Sequence, residues 1–325
     1  MRAVQVLTPT GPTDIELRDV PEPEPGPGEV LVDVHSVGVS FPDLLLSRGE
    51  YQLRPEPPFT LGVDYAGTVA ALGPGAEERF AVGDRVAGVG GYGGAAERVV
   101  NTVDSTFALP DALSYDEGAA LPMNYLTAHF ALGERGGLRP GETVLVHGAA
   151  GGVGTATIQV ARGLGARSIA VVSTEEKGEL ARSAGADEVV LLDGFREAVA
   201  KVTDGRGVDI VVDVVGGDAF TDSLRVLAPQ GRLLVVGFAA GQGIPQVKVN
   251  RLLLNNIDVR GVGWGAYAMA RPGYMQEQWA ALVPMIESGA VKPPIGTTYD
   301  FADFGRALVD MDERRTLGKS VVRVR

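Results

Sequence analysis

Val144-Leu145-Val146-His147-Gly148-Ala149-Ala150-Gly151-Gly152-Val153-Gly154 is the stretch on which the fold of this chain turns. An apolar run ends in a bend of the smallest residues, and a helical pattern begins at once. Small residues let a backbone come close to a pyrophosphate, and the unpaired N–H groups of a helix N-terminus attract its charge. In the usual GxGxxG register Ala149 replaces the first glycine, while Gly151 and Gly154 fill the second and third places. A lone match of this kind carries little weight. The strand before it, the helix after it and further strand–helix units downstream supply the context that makes it informative.

Those units follow in order. Apolar strands are expected at 143–147, 168–172, 188–192, 208–214, 232–236 and 257–262, with helices at 151–164 and 176–184. Nearly continuous Val, Ile and Leu alternating with helices predicts a parallel sheet covered on both faces. Upstream the character differs. Residues 29–36 alternate, with Val30, Val32 and Val34 on one side and Leu31, Asp33 and His35 on the other, the period of a strand with one face in a core. Short β-prone runs at 1–7, 16–20, 65–72 and 85–89, broken by Pro/Gly-rich turns, predict an irregular antiparallel barrel. Helices are expected at 114–120, where Ser114 and Glu117 have capping-box spacing, and at 124–133. From Trp264 onward the tail ends in a β-like run, 320–324, that returns to the first domain. The expected division is 1–120, 121–263 and 264–325.

A chain of 325 residues is longer than one hydrophobic core spans, in keeping with two domains. The net charge of −12 is scattered, which argues against a phosphate-tracking nucleic-acid binder and leaves room for a local basic pocket for a phosphorylated cofactor. No apolar run reaches the roughly 20 residues of a membrane helix, and the first residues lack a signal-peptide pattern, so a cytoplasmic protein is expected. Cysteine is absent, which removes disulfides, a thiolate nucleophile and any Cys-ligated zinc. His35, His129 and His147 form no HxH or HxxxH pair.

The cofactor is read from the end of the second strand. An NAD site places an acid there to hold the ribose hydroxyls. Here the strand ends Val171-Val172-Ser173-Thr174 with no acid, and Lys177 follows within a turn to meet a 2′-phosphate. Glu175 and Glu176 are placed to contact a ribose and count on the other side. NADPH is expected ahead of NADH.

The segments Val39-Ser40-Phe41-Pro42-Asp43-Leu44-Leu45, Leu61-Gly62-Val63-Asp64-Tyr65-Ala66-Gly67, Gly83-Asp84-Arg85-Val86, Leu121 to Ala128, Ala149 to Gly154 and Leu233 to Phe238 together span the chain. In this order they resemble the medium-chain dehydrogenase/reductase superfamily, specifically its zinc-independent quinone oxidoreductase branch. The resemblance implies an α/β fold, a Rossmann doubly wound parallel sheet inserted in a GroES-like β-barrel-type catalytic domain, with substrate in the cleft between them. It also implies a homodimer. Val63 stands where zinc-dependent relatives have His, so no metal is expected. Without a Lewis acid, hydride acceptors such as quinones or α,β-unsaturated carbonyls are implied in place of alcohols.

By the same resemblance, Thr127 lies near the nicotinamide, and Ala150, Gly151, Gly152 and Val153 hold the pyrophosphate. Ser173, Thr174 and Lys177 face the ribose side, and Val215, Phe238, Ala239, Gly263, Trp264 and Lys319 complete the cofactor contacts. Ser40, Asp43 and Tyr51 line the acceptor side, Tyr51 as a hydrogen-bond donor or proton relay. Each has a structural alternative: Ser40 satisfying backbone donors, Asp43 holding the local loop through an N-cap bond, Tyr51 as a half-buried loop residue, Trp264 as a core anchor. His129 and His147 are assigned no chemistry. Two departures stand out: Ser40 where many quinone reductases have Asn, and Leu192 where several have Tyr. Three functions remain open: a quinone reductase, an enoyl or enone reductase, and a non-catalytic NADPH-binding protein.

Overall fold

The computed structural model describes residues 1–325, which divide into two compact units. One comprises residues 124–271 and 284–292. Its six strands are all parallel, in the order Glu188–Leu191, Arg167–Val172, Thr143–His147, Val208–Asp213, Leu227–Val235 and Asp258–Gly261. The chain winds outward in one direction for three strands, returns to the middle, and winds outward in the other. The reversal falls between Thr143–His147 and Val208–Asp213, where an open parallel sheet leaves a crevice at its strand C-terminal ends. All five residues of Thr143–His147 are buried, which explains why that strand is apolar on both faces. Leu145, Val171, Val211 and Leu233 share one core with Phe195 and Val199 of the helix Phe195–Val202 and with Phe220.

The other unit comprises residues 1–123, 272–283 and 293–325. Its seven-stranded sheet runs Ile295–Asp300, Lys319–Arg323, Glu29–Gly38, Asp64–Leu72, Arg85–Val89 and Thr106–Ala108, with Arg98–Thr102 also paired to Glu29–Gly38. A smaller sheet orders Ile15–Asp19, Arg2–Val6 and Phe59–Thr60. Val30, Val32 and Val34 face the core with no exposure, as their alternation requires. The C-terminal strand Lys319–Arg323 pairs antiparallel with Glu29–Gly38, so the tail does return to the first unit.

The boundaries differ from those read in the sequence. The first division falls at 123/124, not 120/121, and the second at 271/272, not 263/264; residues 284–292 rejoin the parallel unit. The reason is packing: Trp264 and the helix Trp264–Met269 belong to the parallel unit, with Tyr267 tilted on Phe130 at 4.9 Å. No helix is long and apolar enough to cross a membrane.

Candidate active site

The glycine bend is built at the reversal point of the parallel sheet. Gly148 makes the turn: its φ is +61°, a conformation that side chains strain against, and a Cβ there would stand 2.7 Å from Val214 Cγ2. The turn glycine is therefore Gly148, one place before the Ala149 that the motif's register puts in that role. Gly154 serves packing, because a Cβ would meet the Gly148 carbonyl oxygen at 2.2 Å and Ala149 Cα at 2.7 Å. At Gly152 the obstacle is Asn124, whose Nδ2 lies 2.5 Å from the Cβ position. Gly151 is different. Only the Gly148 carbonyl oxygen approaches, at 3.3 Å, so its missing side chain leaves room on the outside of the bend.

The helix Gly152–Gly163 starts at Gly151 with no side-chain cap and no acid in its first turn. Its first N–H groups thus have no side chain to satisfy them and present a positive dipole end. This is an anion cradle that fits a dinucleotide's pyrophosphate.

Ser173, Thr174, Val215, Phe238, Ala239 and Gly263 follow the C-terminal ends of neighbouring strands, which gathers them along one rim of the sheet, while Thr127 lies on the helix Pro122–His129. Ser173 and Thr174 follow Arg167–Val172 and are exposed; Thr174 Oγ1 accepts the Lys177 N–H at 3.3 Å and caps Glu175–Ser183. Val215 lies in a turn held by Asp213, whose Oδ1 accepts the Val215 and Gly216 N–H groups at 2.8 and 2.9 Å. Ala239 N–H donates to the Val214 carbonyl at 3.1 Å, tying the Phe238-Ala239 loop to that turn. Phe238 is largely exposed. Thr127 is buried one helical turn beyond Asn124, and Gly263 precedes the buried Trp264. His147 is buried with Nε2 2.6 Å from Ser223 Oγ and its ring edge-on to Phe195. Burial pushes its pKa down to about 4.

The barrel unit gathers a different set. Ser40 is the N-cap residue of the helix Phe41–Ser47. Its hydroxyl donates to Asp64 Oδ2 at 2.8 Å and accepts from Lys319 Nζ at 2.5 Å, while Lys319 also donates to Asp64 Oδ2 at 2.8 Å. Asp64 Oδ1 accepts the Met123 N–H at 2.8 Å. Lys319 and Asp64 form an ion pair with 4% and 0% of their side chains exposed. Asp43, wholly buried, accepts the Ser40 N–H at 3.0 Å and the Gly62 N–H at 2.9 Å. Burial, with Asp64 nearby, pushes its carboxyl up to about 7. Tyr51 is half-buried, and burial followed by the Asp43 charge holds its phenol above the usual range.

Residues 26–111 match the alcohol dehydrogenase GroES-like domain family and residues 152–288 the zinc-binding dehydrogenase family. The chain is 36% identical over 329 residues to a quinone oxidoreductase of Pseudomonas aeruginosa, covering 99% of each. A quinone oxidoreductase-like protein 2 of Bos taurus is 38% identical over 296 residues, 90% of this chain and 84% of that one. A mycobacterial protein solved in complex with NADPH superposes with a TM-score of 0.91 at 35% identity, covering both chains completely. The chain belongs to the quinone oxidoreductase branch of the medium-chain dehydrogenase/reductase superfamily. It is an oxidoreductase with that superfamily's GroES-like and Rossmann architecture.

Within this family frame the three acceptor-side residues separate. Asp43, the third residue of its helix, does hold the local loop through an N-cap bond: its carboxylate accepts the N–H of the N-cap residue Ser40. Ser40, within the same capping box, gives its hydroxyl proton to Asp64 and accepts from Lys319. Lys319, expected at the cofactor, has its ammonium held by that buried pair. Asp64 and Asn124 are the structural residues that the sequence reading left without a role. Both lay in quoted family segments, and a buried acid inside the otherwise apolar Leu61-Gly62-Val63-Asp64-Tyr65-Ala66 was the available signal for the first.

Proposed function

We propose that this oxidoreductase passes hydride from NADPH to a quinone or a similarly electron-poor acceptor, without zinc. The reading is carried by the uncapped helix start at Gly151–Gly154, where Gly151 alone leaves its outer side clear. The absence of an acid at the end of Arg167–Val172, with Lys177 in the next helical turn, favours the phosphorylated dinucleotide. The mycobacterial relative solved with NADPH supports the same choice, and the quinone oxidoreductase of Pseudomonas aeruginosa supports the acceptor class. The chain has no cysteine, and Val63 fills the position of a zinc-ligating His.

When bound, NADPH supplies the hydride. The protein's part is positional. Ala150, Gly151, Gly152 and Val153 would hold the pyrophosphate, Lys177 with Ser173 the phosphorylated ribose, and Thr127, Val215, Phe238, Ala239 and Gly263 the rest of the cofactor. Tyr51 orients the acceptor: its phenol stays protonated at neutral pH and donates a hydrogen bond to oxygen as charge develops there. Asp43 and the Ser40–Asp64–Lys319 group fix the loop that carries Tyr51's neighbours and act as positioning residues.

Steady-state assays with NADPH and 1,4-benzoquinone, 9,10-phenanthrenequinone or a crotonyl thioester test the acceptor. Turnover of the quinones supports the proposal; turnover of the thioester alone replaces it with an enoyl reductase. Lys177→Ala is expected to raise the NADPH Kd about tenfold, a loss of roughly 1.4 kcal/mol, while leaving NADH binding nearly unchanged. Equal losses for both coenzymes would remove the assignment of that lysine.

A further inference from the structure

The barrel unit carries a second concavity, made of residues that the hydride-transfer reading does not use. A cavity of about 400 Å³ is lined by His35, Arg85, Ser114, Tyr115, Asp116, Arg323 and Arg325. Its three guanidinium groups each meet a carboxylate, Arg323 at Asp116, Arg85 at Asp111 (Nη1 to Oδ1, 3.4 Å) and Arg325 at Asp33, so what the cavity offers is the guanidinium edges left over from these pairs.

The cations are tethered along one edge while their side chains stay open to solvent, Arg323 at 55% and Arg325 at 48% exposure. Arg323 donates through Nε and Nη2 to Asp116 Oδ2 at 3.0 and 2.6 Å, and Asp116 Oδ1 accepts from Ser36 Oγ at 2.5 Å. Arg85 lies 4.9 Å over the Tyr115 ring and donates to the Leu113 carbonyl at 2.5 Å. Tyr115 in turn stacks on His35 at 4.7 Å, and its hydroxyl is fixed 2.8 Å from Thr68 Oγ1. His35 Nδ1 meets Ser36 Oγ at 2.9 Å. Arg325 is anchored through Nη2 to Asp33 at 3.0 Å.

Each anchored guanidinium keeps donors that no protein acceptor takes: Nη1 of Arg323, Nε of Arg85, and Nε and Nη1 of Arg325. A guanidinium fork held along one edge presents its remaining N–H groups without loss of side-chain entropy on binding, and that geometry suits an oxyanion. Several such donors from different elements suit an anion with oxygens in three dimensions better than a planar one. We infer that this cavity is a binding site for a small phosphate-bearing molecule, separate in its residues from the glycine bend and from the Ser40–Asp64–Lys319 group.

Calorimetric titration of the full chain, saturated with NADPH so that the glycine bend is filled, tests this with inorganic phosphate and glycerol 3-phosphate. Saturable binding that weakens with added salt is expected, and the tighter of the two probes tells a free phosphate site from a phosphate-ester site. The double variant Arg85→Gln/Arg325→Gln leaves the Arg323–Asp116 pair intact and should weaken binding by at least about tenfold, or roughly 1.4 kcal/mol. Its urea midpoint without ligand, compared with that of the parent, shows that the fold survives. Arg323→Gln, which removes the third cation, should weaken binding by a similar factor. The inference falls if neither probe binds at millimolar concentration, or if both variants bind as tightly as the parent, which would place the anion elsewhere.

Discussion

Replacing Lys319 by Met tests the buried group that ties the C-terminal strand to the barrel. The ammonium is 4% exposed and Asp64 not at all, so the substitution strands a carboxylate away from water with only the Ser40 hydroxyl and the Met123 N–H as partners. Breaking one side of a buried pair costs about 3–5 kcal/mol, chiefly the penalty of the orphaned charge. With an m-value of about 2 kcal/mol per molar urea, the unfolding midpoint of the barrel unit should fall by roughly 1.5–2.5 M. The two tryptophans make the assay specific. Trp279 belongs to the barrel unit, stacked on Phe107 at 4.7 Å, and Trp264 to the parallel unit. In a Trp264→Phe background, fluorescence therefore follows the barrel alone, which matters because multidomain chains need not unfold in one step. Adding Asp64→Asn keeps a carbonyl for the Met123 N–H and removes the charge, so the double variant should recover at least half of the loss. A midpoint within about 0.5 M of the parent for Lys319→Met, or a double variant less stable than the single, would refute the argument that desolvated charge dominates here.

Two further outcomes follow from the same geometry. Gly154→Ala drives a methyl into the Gly148 carbonyl and should destabilise the parallel unit, read by Trp264 fluorescence in urea; Gly151→Ala should leave that midpoint nearly unchanged yet abolish calorimetric NADPH binding. The two units should also respond to pH with opposite sign, measured as urea midpoints from pH 4 to 8. Asp43 has its pKa raised to about 7, so its contribution is full below the unfolded value of 3.8 and is lost as pH rises towards 7. His147 has its pKa lowered to about 4, so its contribution is full above 6.5 and is lost as pH falls towards 4. Asp43→Asn should flatten the first trend and His147→Gln the second; unchanged slopes would show that other groups set them.

What could be read in the sequence was what repeats locally. The alternation of Val30, Val32 and Val34, and the doubly apolar run at 144–146, are backbone periodicities that burial turns into strands. Short or polar elements escaped. Arg98–Thr102 holds its place by pairing along Glu29–Gly38 and not by any hydrophobic period, and Phe41–Ser47 is only seven residues with a proline in its first turn. The glycine motif located the bend, but spacing fixes only a register, while φ decides which glycine is obligatory. That is Gly148, at +61°.

The Ser40 departure illustrates the limit most clearly. Where many quinone reductases have Asn, a single hydroxyl here accepts from Lys319 and donates to Asp64, residues that lie 279 and 24 positions away. An amide performs those two tasks with different atoms, its oxygen and its nitrogen, and so needs its partners apart. Serine brings them onto one atom, which lets the ammonium also reach Asp64 at 2.8 Å. The substitution, the buried pair and the docking of Lys319–Arg323 against Glu29–Gly38 are thus one arrangement, and no window of sequence short enough to show a pattern contains all three.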